Sequence, residues 1–154
     1  MKTVALKLYK FNELDNEIQK KVIDNYRYNE DGYMFIDDDI KVIQDFANDF
    51  GINIYNYALS PYHHSYFKYD FDNFDKDNFD ISKLDSDEPL YEILLDEFKK
   101  QYNYSYDYKT AFDMTMQRAI KYITDEMEYQ DSDEYITETI NLNDYDFTID
   151  GKIY

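Results

Sequence analysis

Residues 36–61, IDDDIKVIQDFANDFGINIYNYALSP, carry the two periodicities that decide the fold. In the first half Ile40, Ile43, Phe46, Ala47 and Phe50 recur three or four apart, which predicts one apolar stripe of an amphipathic helix. Asp37, Asp38 and Asp39 stand at its start and are expected to cap it, since carboxylates suit the positive end of a helix dipole. Gly51 stands at the C′ position, where a left-handed residue ends a helix. The period then changes to two. Ile52 and Ile54 lie opposite Asn53 and Tyr55, which predicts a strand through Leu59, stopped by Ser60-Pro61. Residues 64–71 alternate again and supply an antiparallel partner for that strand.

Outward from this stretch the same two periods continue. Thr3 to Tyr9 alternates, with Val4, Leu6 and Leu8 on one face, and reads as a strand. Asp15 is a candidate N-cap. Ile18, Val22, Ile23 and Tyr26 follow at helical spacing, so residues 16–28 read as a helix. Asp31-Gly32 makes a turn. Residues 72–88 are acidic and without periodicity, which predicts a loop. Pro89 fits the first position of a helix striped by Leu90, Ile93, Leu94 and Phe98. Residues 102–108, with Tyr at every second position, read as a connector. A longer helix over 109–128 carries Phe112, Met116, Ala119, Ile120, Ile123 and Met127, and a short one follows over 132–142. The final residues, 144–154, read as a β-hairpin around Asp150-Gly151, a type I′ turn signal. The expectation is a single acidic α+β domain over residues 1–154. It has a small antiparallel sheet, about four or five helices, an acidic loop at about 72–88 and a C-terminal β-hairpin.

The 154 residues include 34 Asp and Glu against 16 Lys and Arg, for a net charge of −18. Low hydropathy with high charge is the signature of disorder, but 19 Tyr, 11 Phe and a periodic apolar pattern argue for a folded core under a self-repelling surface. No Cys is present, which excludes disulfides, thiolate metal sites and cysteine nucleophiles. Three Gly cannot make a phosphate-binding glycine loop. No apolar run approaches the roughly 18 residues of a membrane span. The opening MKTVALKLYKF lacks the apolar core and cleavage site of a secretory signal. The acidic balance opposes direct binding of nucleic acid or anionic lipid, because phosphates would be repelled.

The chemistry that remains is that of a negative surface. Asp70, Asp72, Asp75, Asp77, Asp80, Asp85 and Asp87 are countered only by Lys76 and Lys83, and Phe71, Phe74 and Phe79 interleave with them. Carboxylates in a row can stand in for phosphates, and rings can occupy the places of bases. The competing reading is a solvated loop whose phenylalanines tuck into the core. Asp37, Asp38 and Asp39 form a second acidic knot. Glu126, Glu128, Asp131, Asp133 and Glu134 form a third. A calcium loop beginning at Asp75 fails at its sixth and twelfth positions, where Asp80 and Ser86 replace the required Gly and Glu. His63 and His64 are adjacent, so on an extended chain they point to opposite faces and do not chelate one ion. No nucleophile-elbow glycines accompany any serine. Among 34 acids, paired carboxylates are unavoidable and name no acid–base site. Tyrosine in such number suits interfaces.

The stretch LYKFNELDNEIQKKVIDNYR (8–27) resembles the start of small acidic phage-encoded proteins: a short strand, F-x-E-L, then a helix ending in Tyr-Arg. The ending NDYDFTIDGKIY (143–154) resembles their C-terminal strand with an Asp-Gly turn. Proteins of this kind include nucleic-acid mimics that block restriction enzymes or CRISPR nucleases. The resemblance implies a non-enzymatic phage inhibitor of a bacterial defence nuclease (anti-CRISPR or anti-restriction) in the cytoplasm of the bacterial host. It would need no cofactor and no metal. Its partner would be a basic nucleic-acid-binding protein, such as a Cas effector or restriction enzyme, met by the three acidic clusters. The alternative expectation is an antitoxin-like or regulatory binding protein that neutralises its partner through a Tyr-rich patch.

Overall fold

The structure, a computed structural model, describes residues 6–28 and 33–154. In chain order the elements are α1 (Asn16–Tyr28), α2 (Ile36–Asp49), β1 (Asn53–Ala58), β2 (Tyr66–Asp70), α3 (Pro89–Ser105), α4 (Tyr108–Gln130) and α5 (Asp133–Asn143). Short 3₁₀ turns lie at Phe11–Glu13 and Ile81–Lys83. The class is α+β. The chain forms two compact units, Met34–Met127 and Met1–Tyr33 with Glu128–Tyr154.

In the unit Met34–Met127, α2 is built as its stripe predicts, with Ile40, Ile43, Phe46 and Ala47 buried. Its start differs from expectation. The N-cap is Phe35, at φ 66°, and no side chain caps the helix. Asp37, Asp38 and Asp39 therefore do not cap; they occupy the first turn, where the helix dipole still favours them. The exit is a Schellman motif: Gly51 N–H bonds to Asn48 C=O at 2.8 Å, and Ile52 N–H to Ala47 C=O at 2.9 Å. Gly51 takes φ +74°, and a Cβ there would stand 3.0 Å from the Asn73 carbonyl.

β1 and β2 pair antiparallel from Asn53↔Asp70 to Ala58↔Tyr66, with an irregularity between Ile54 and Asn56. Ile54 and Phe67 face the core. The core is aromatic. Phe50 contacts Phe46, Phe98 and Phe112 at centroid distances of 4.8, 4.7 and 5.6 Å. Tilted and edge-on contacts of this kind add roughly 0.5–1.5 kcal/mol beyond the area buried. α3 starts at Pro89 as expected, but it continues through residues expected to form a connector and ends only at Ser105. The reason is local. The Tyr102 ring stacks on Phe98, one turn back, at 6.2 Å, and no breaker interrupts the turn. Tyr106 then ends the helix in the left-handed region, φ 54°, with its N–H on Tyr102 C=O at 2.8 Å. Asp107 opens α4 by accepting the Thr110 hydroxyl at 2.6 Å.

The other unit packs Phe11, Leu14, Val22, Ile136, Ile140 and Phe147 into its own core. α1 covers the predicted range, and Ser132 caps α5 by accepting the Tyr135 N–H at 3.2 Å. The expected C-terminal hairpin does not form. Phe147 makes single bridges to Tyr9 and to Ile153 in place of a ladder. A type I′ turn needs positive φ at both central residues, whereas here Gly151 takes φ +85° and Asp150 does not. Gly151 instead presses on α1: a Cβ there would stand 2.9 Å from Ile18 and from Val22. Of the expected strand 3–9, residues 3–5 lie outside the described residues, Leu6–Leu8 form no strand, and Tyr9 makes only its bridge. The expected turn at Asp31-Gly32 lies outside the described residues.

Candidate interaction surface

The acidic segment is a loop with internal order. Asp70, Asp75 and Asp80 each accept the backbone N–H two residues on, at 3.2, 3.2 and 3.0 Å. These are Asx turns, and they give three of the seven aspartates a local reason to be there. Asn78 donates to Asp75 at 2.6 Å, and the Ser82 hydroxyl donates to Asp80 at 2.6 Å. These bonds hold both carboxyls below the usual range. Phe79 stacks on Phe50 at 4.6 Å, and Phe74 and Phe79 both meet Tyr108. The rings pin the loop down, and Asp70, Asp72, Asp75, Asp77, Asp80, Asp85 and Asp87 all remain exposed. The segment is thus both a packed loop and a row of outward carboxylates.

A second arrangement lies on the outer face of α2. Asp38, Asp45 and Asp49 are seven and four residues apart, one helix face opposite the Ile40–Ile43–Ala47 stripe. Asp45 and Asp49 meet Asp85 and Glu88, from the end of the acidic loop, around a groove of about 320 Å³ with Val42 and Tyr91. Tyr91 is buried, and its hydroxyl donates to Asp49 at 2.6 Å. Burial, that bond and the fields of Asp49, Asp85 and Asp45 together raise the Tyr91 pKa. At the start of α2, burial first and then Glu126, Asp38 and Glu88 push the Asp39 carboxyl above its ordinary value. Tyr122 is raised by burial and by the same Asp39 and Glu126, with Arg118 opposing. Carboxylates from α2, the 85–88 segment and α4 therefore share one field. Among the described residues, Asp38, Asp39, Asp45, Asp49, Asp85 and Glu88 form no ion pair with a basic side chain.

The third cluster is divided. Glu126 belongs to Met34–Met127, whereas Glu128, Asp131 and Asp133 belong to the other unit. There Arg27 ties the strand of acids together. Its guanidinium pairs with Asp24 at 2.7 Å and with Asp133, and donates to the Asp131 carbonyl at 3.0 Å. Tyr33 donates to the Asp131 carboxylate at 2.8 Å. Asp131 and Asp133 thus serve a polar knot that closes this unit.

Asp45, Asp49 and Glu88 were not among the residues expected at the surface, because Asp45 and Asp49 stand outside any run of acids and Glu88 closes one. The signal was present as a period: an acidic stripe on the face opposite the apolar one. Among the described residues no three His, Cys, Asp or Glu side chains are placed to hold a metal ion. No helix among them is long and apolar enough to cross a membrane. His63 and His64 are both exposed. No family model, curated protein or solved structure matches the chain.

Proposed function

We propose that this chain is a non-enzymatic inhibitor that occupies the basic nucleic-acid channel of a partner protein, of the bacterial defence nuclease class. The observation that carries the reading is the acidic face of α2. Carboxylates of Asp38, Asp45 and Asp49 are joined by Asp85 and Glu88 of a second segment, without basic partners. Holding like charges at this density costs stability, and a net charge of about 2–8 already suffices for solubility. A partner rich in Lys and Arg would relieve the repulsion on binding. Attraction of this kind is long-range, fast and screened by salt. A phage origin and action in the bacterial cytoplasm belong to the same proposal, on the strength of the sequence resemblance.

The test is capture from host lysate at two salt concentrations, with competing DNA, followed by nuclease inhibition assays with the captured enzyme. The expected result is a nucleic-acid-binding protein held at low salt and displaced by DNA. The triple substitution Asp38→Asn, Asp45→Asn, Asp49→Asn should weaken inhibition by about 10-fold or more while the melting temperature holds or rises. Inhibition that survives this change, or a partner held equally at high salt, overturns phosphate mimicry. The second outcome favours an antitoxin-like contact through exposed tyrosines such as Tyr104, which is 87% exposed.

A further inference from the structure

The junction of α3 and α4 carries an aromatic slot on the same unit. Its volume is about 470 Å³, and Phe74, Tyr102, Tyr106 and Tyr108 form its walls, with Asp77 and Asp107 beside them. The ring centroids of Tyr102 and Tyr108 lie 4.5 Å apart, and Tyr106 stands edge-on to Tyr102 at 6.5 Å. Tyr106 is unusual in two independent respects. It takes a left-handed conformation, φ 54°, where glycine is the ordinary choice, and its ring is 80% exposed, so burial does not repay the placement.

We propose that this slot receives the guanidinium of an arginine side chain on the partner protein; the inference deepens the channel-binding reading above and rests on it. Ring faces bind a flat, weakly hydrated cation by stacking, and carboxylates complete its hydrogen bonds. Two lysines, Lys76 and Lys109, also line the slot. Lys109 is turned to the Phe71 ring, 5.4 Å from its centroid. The two lysines and two aspartates cancel, and the terminal carbonyls of α3 are offset by the N-terminal N–H groups of α4, so the −18 field decides the sign of the ligand and selects a cation.

The experiment is an NMR titration of the chain, labelled at tyrosine rings, with N-acetyl-argininamide and, separately, N-acetyl-lysinamide. The two probes carry equal charge, so attraction to the acidic surface alone treats them alike. The expected result is saturable shifts at Tyr102, Tyr106 and Tyr108, with the lysine probe at least about 5-fold weaker. Tyr106→Phe should bind the arginine probe like the parent, and Tyr106→Gly, suited to the left-handed position, should lose about 5-fold or more. Equal shifts for both probes, or binding unchanged in Tyr106→Gly, overturn the slot. The Asp38, Asp45, Asp49 triple variant separates the two readings. A silent slot with salt-sensitive partner capture overturns this inference alone. A responsive slot with capture indifferent to that triple variant overturns the phosphate-mimic reading.

Discussion

Asp39 shows how a single side chain records the tension in this surface. Burial raises its pKa first, and the carboxylates of Glu126, Asp38 and Glu88 add to the rise. A carboxyl whose folded pKa lies above its unfolded value opposes folding at neutral pH. The penalty is complete above the folded pKa and disappears as pH falls through it toward the unfolded value of 3.8. Asp39→Asn is therefore expected to stabilise the chain at pH 7, by about 0.5 kcal/mol given partial solvent screening. The gain should vanish below about pH 4. Denaturant unfolding of both proteins at pH 7 and pH 3.5 checks this, and equal stability at pH 7 would remove the repulsion argument at this position. Asp75, Asp80, Asp107 and Asp150 run the other way. Each is held below its usual value by local hydrogen bonds, which turns their ionised forms into supports for turns and caps.

At the scale of elements, the sharpest boundary is the one between α2 and β1. The Schellman bonds at Gly51 and Ile52 reverse the chain while Ile52 and Ile54 enter the core. Gly51→Ala would place a Cβ 3.0 Å from the Asn73 carbonyl at φ +74°. The expected cost is about 1–2 kcal/mol, read as a lower denaturation midpoint with an unchanged m value. An unchanged midpoint would mean that the acidic loop, which contributes Asn73, gives way without cost. The stripe, the glycine exit and the alternation of this helix–turn–strand unit were legible because their signals are local, whereas its entry, capped at Phe35 and not by an aspartate, was not. The hairpin expected at residues 144–154 had an equally local signal, yet Asp-Gly did not impose a type I′ turn. Close packing of Gly151 on Ile18 and Val22, and the sharing of Phe147 between Tyr9 and Ile153, set the backbone there instead. Likewise α3 outran its predicted end because Tyr102 and Phe98 stack one turn apart.

For the whole molecule, the governing number is −18. The ion pairs among the described residues are few; those at Lys10, Lys121 and Lys152 are exposed and contribute little, and the pairs at Arg27 are half-buried. Net repulsion should therefore outweigh them. Raising NaCl from about 0.05 M to about 0.5 M shortens the screening length several-fold and is expected to raise Tm by about 3–6 °C at pH 7. A Tm that falls with salt would show that attractive pairs dominate and that the acidic face is not a stored repulsion. The same screening that stabilises the free chain should weaken its hold on a basic partner, so stability and affinity are expected to move in opposite directions with salt.

Composition and period alone determined that this chain folds around aromatics, that its class is α+β, and that its surface is strongly negative. Each of these depends on local spacing or on sums over residues, which a linear sequence records. The grouping of the charge is a different matter. Asp45 and Asp49 gain their significance only when Asp85 and Glu88 are brought beside them, and Asp131 and Asp133 are drawn to Arg27, more than a hundred residues away. Coulomb interactions act through space, so the tertiary fold, and not the order of residues, decides which of 34 carboxylates share a field and which are already held by a guanidinium.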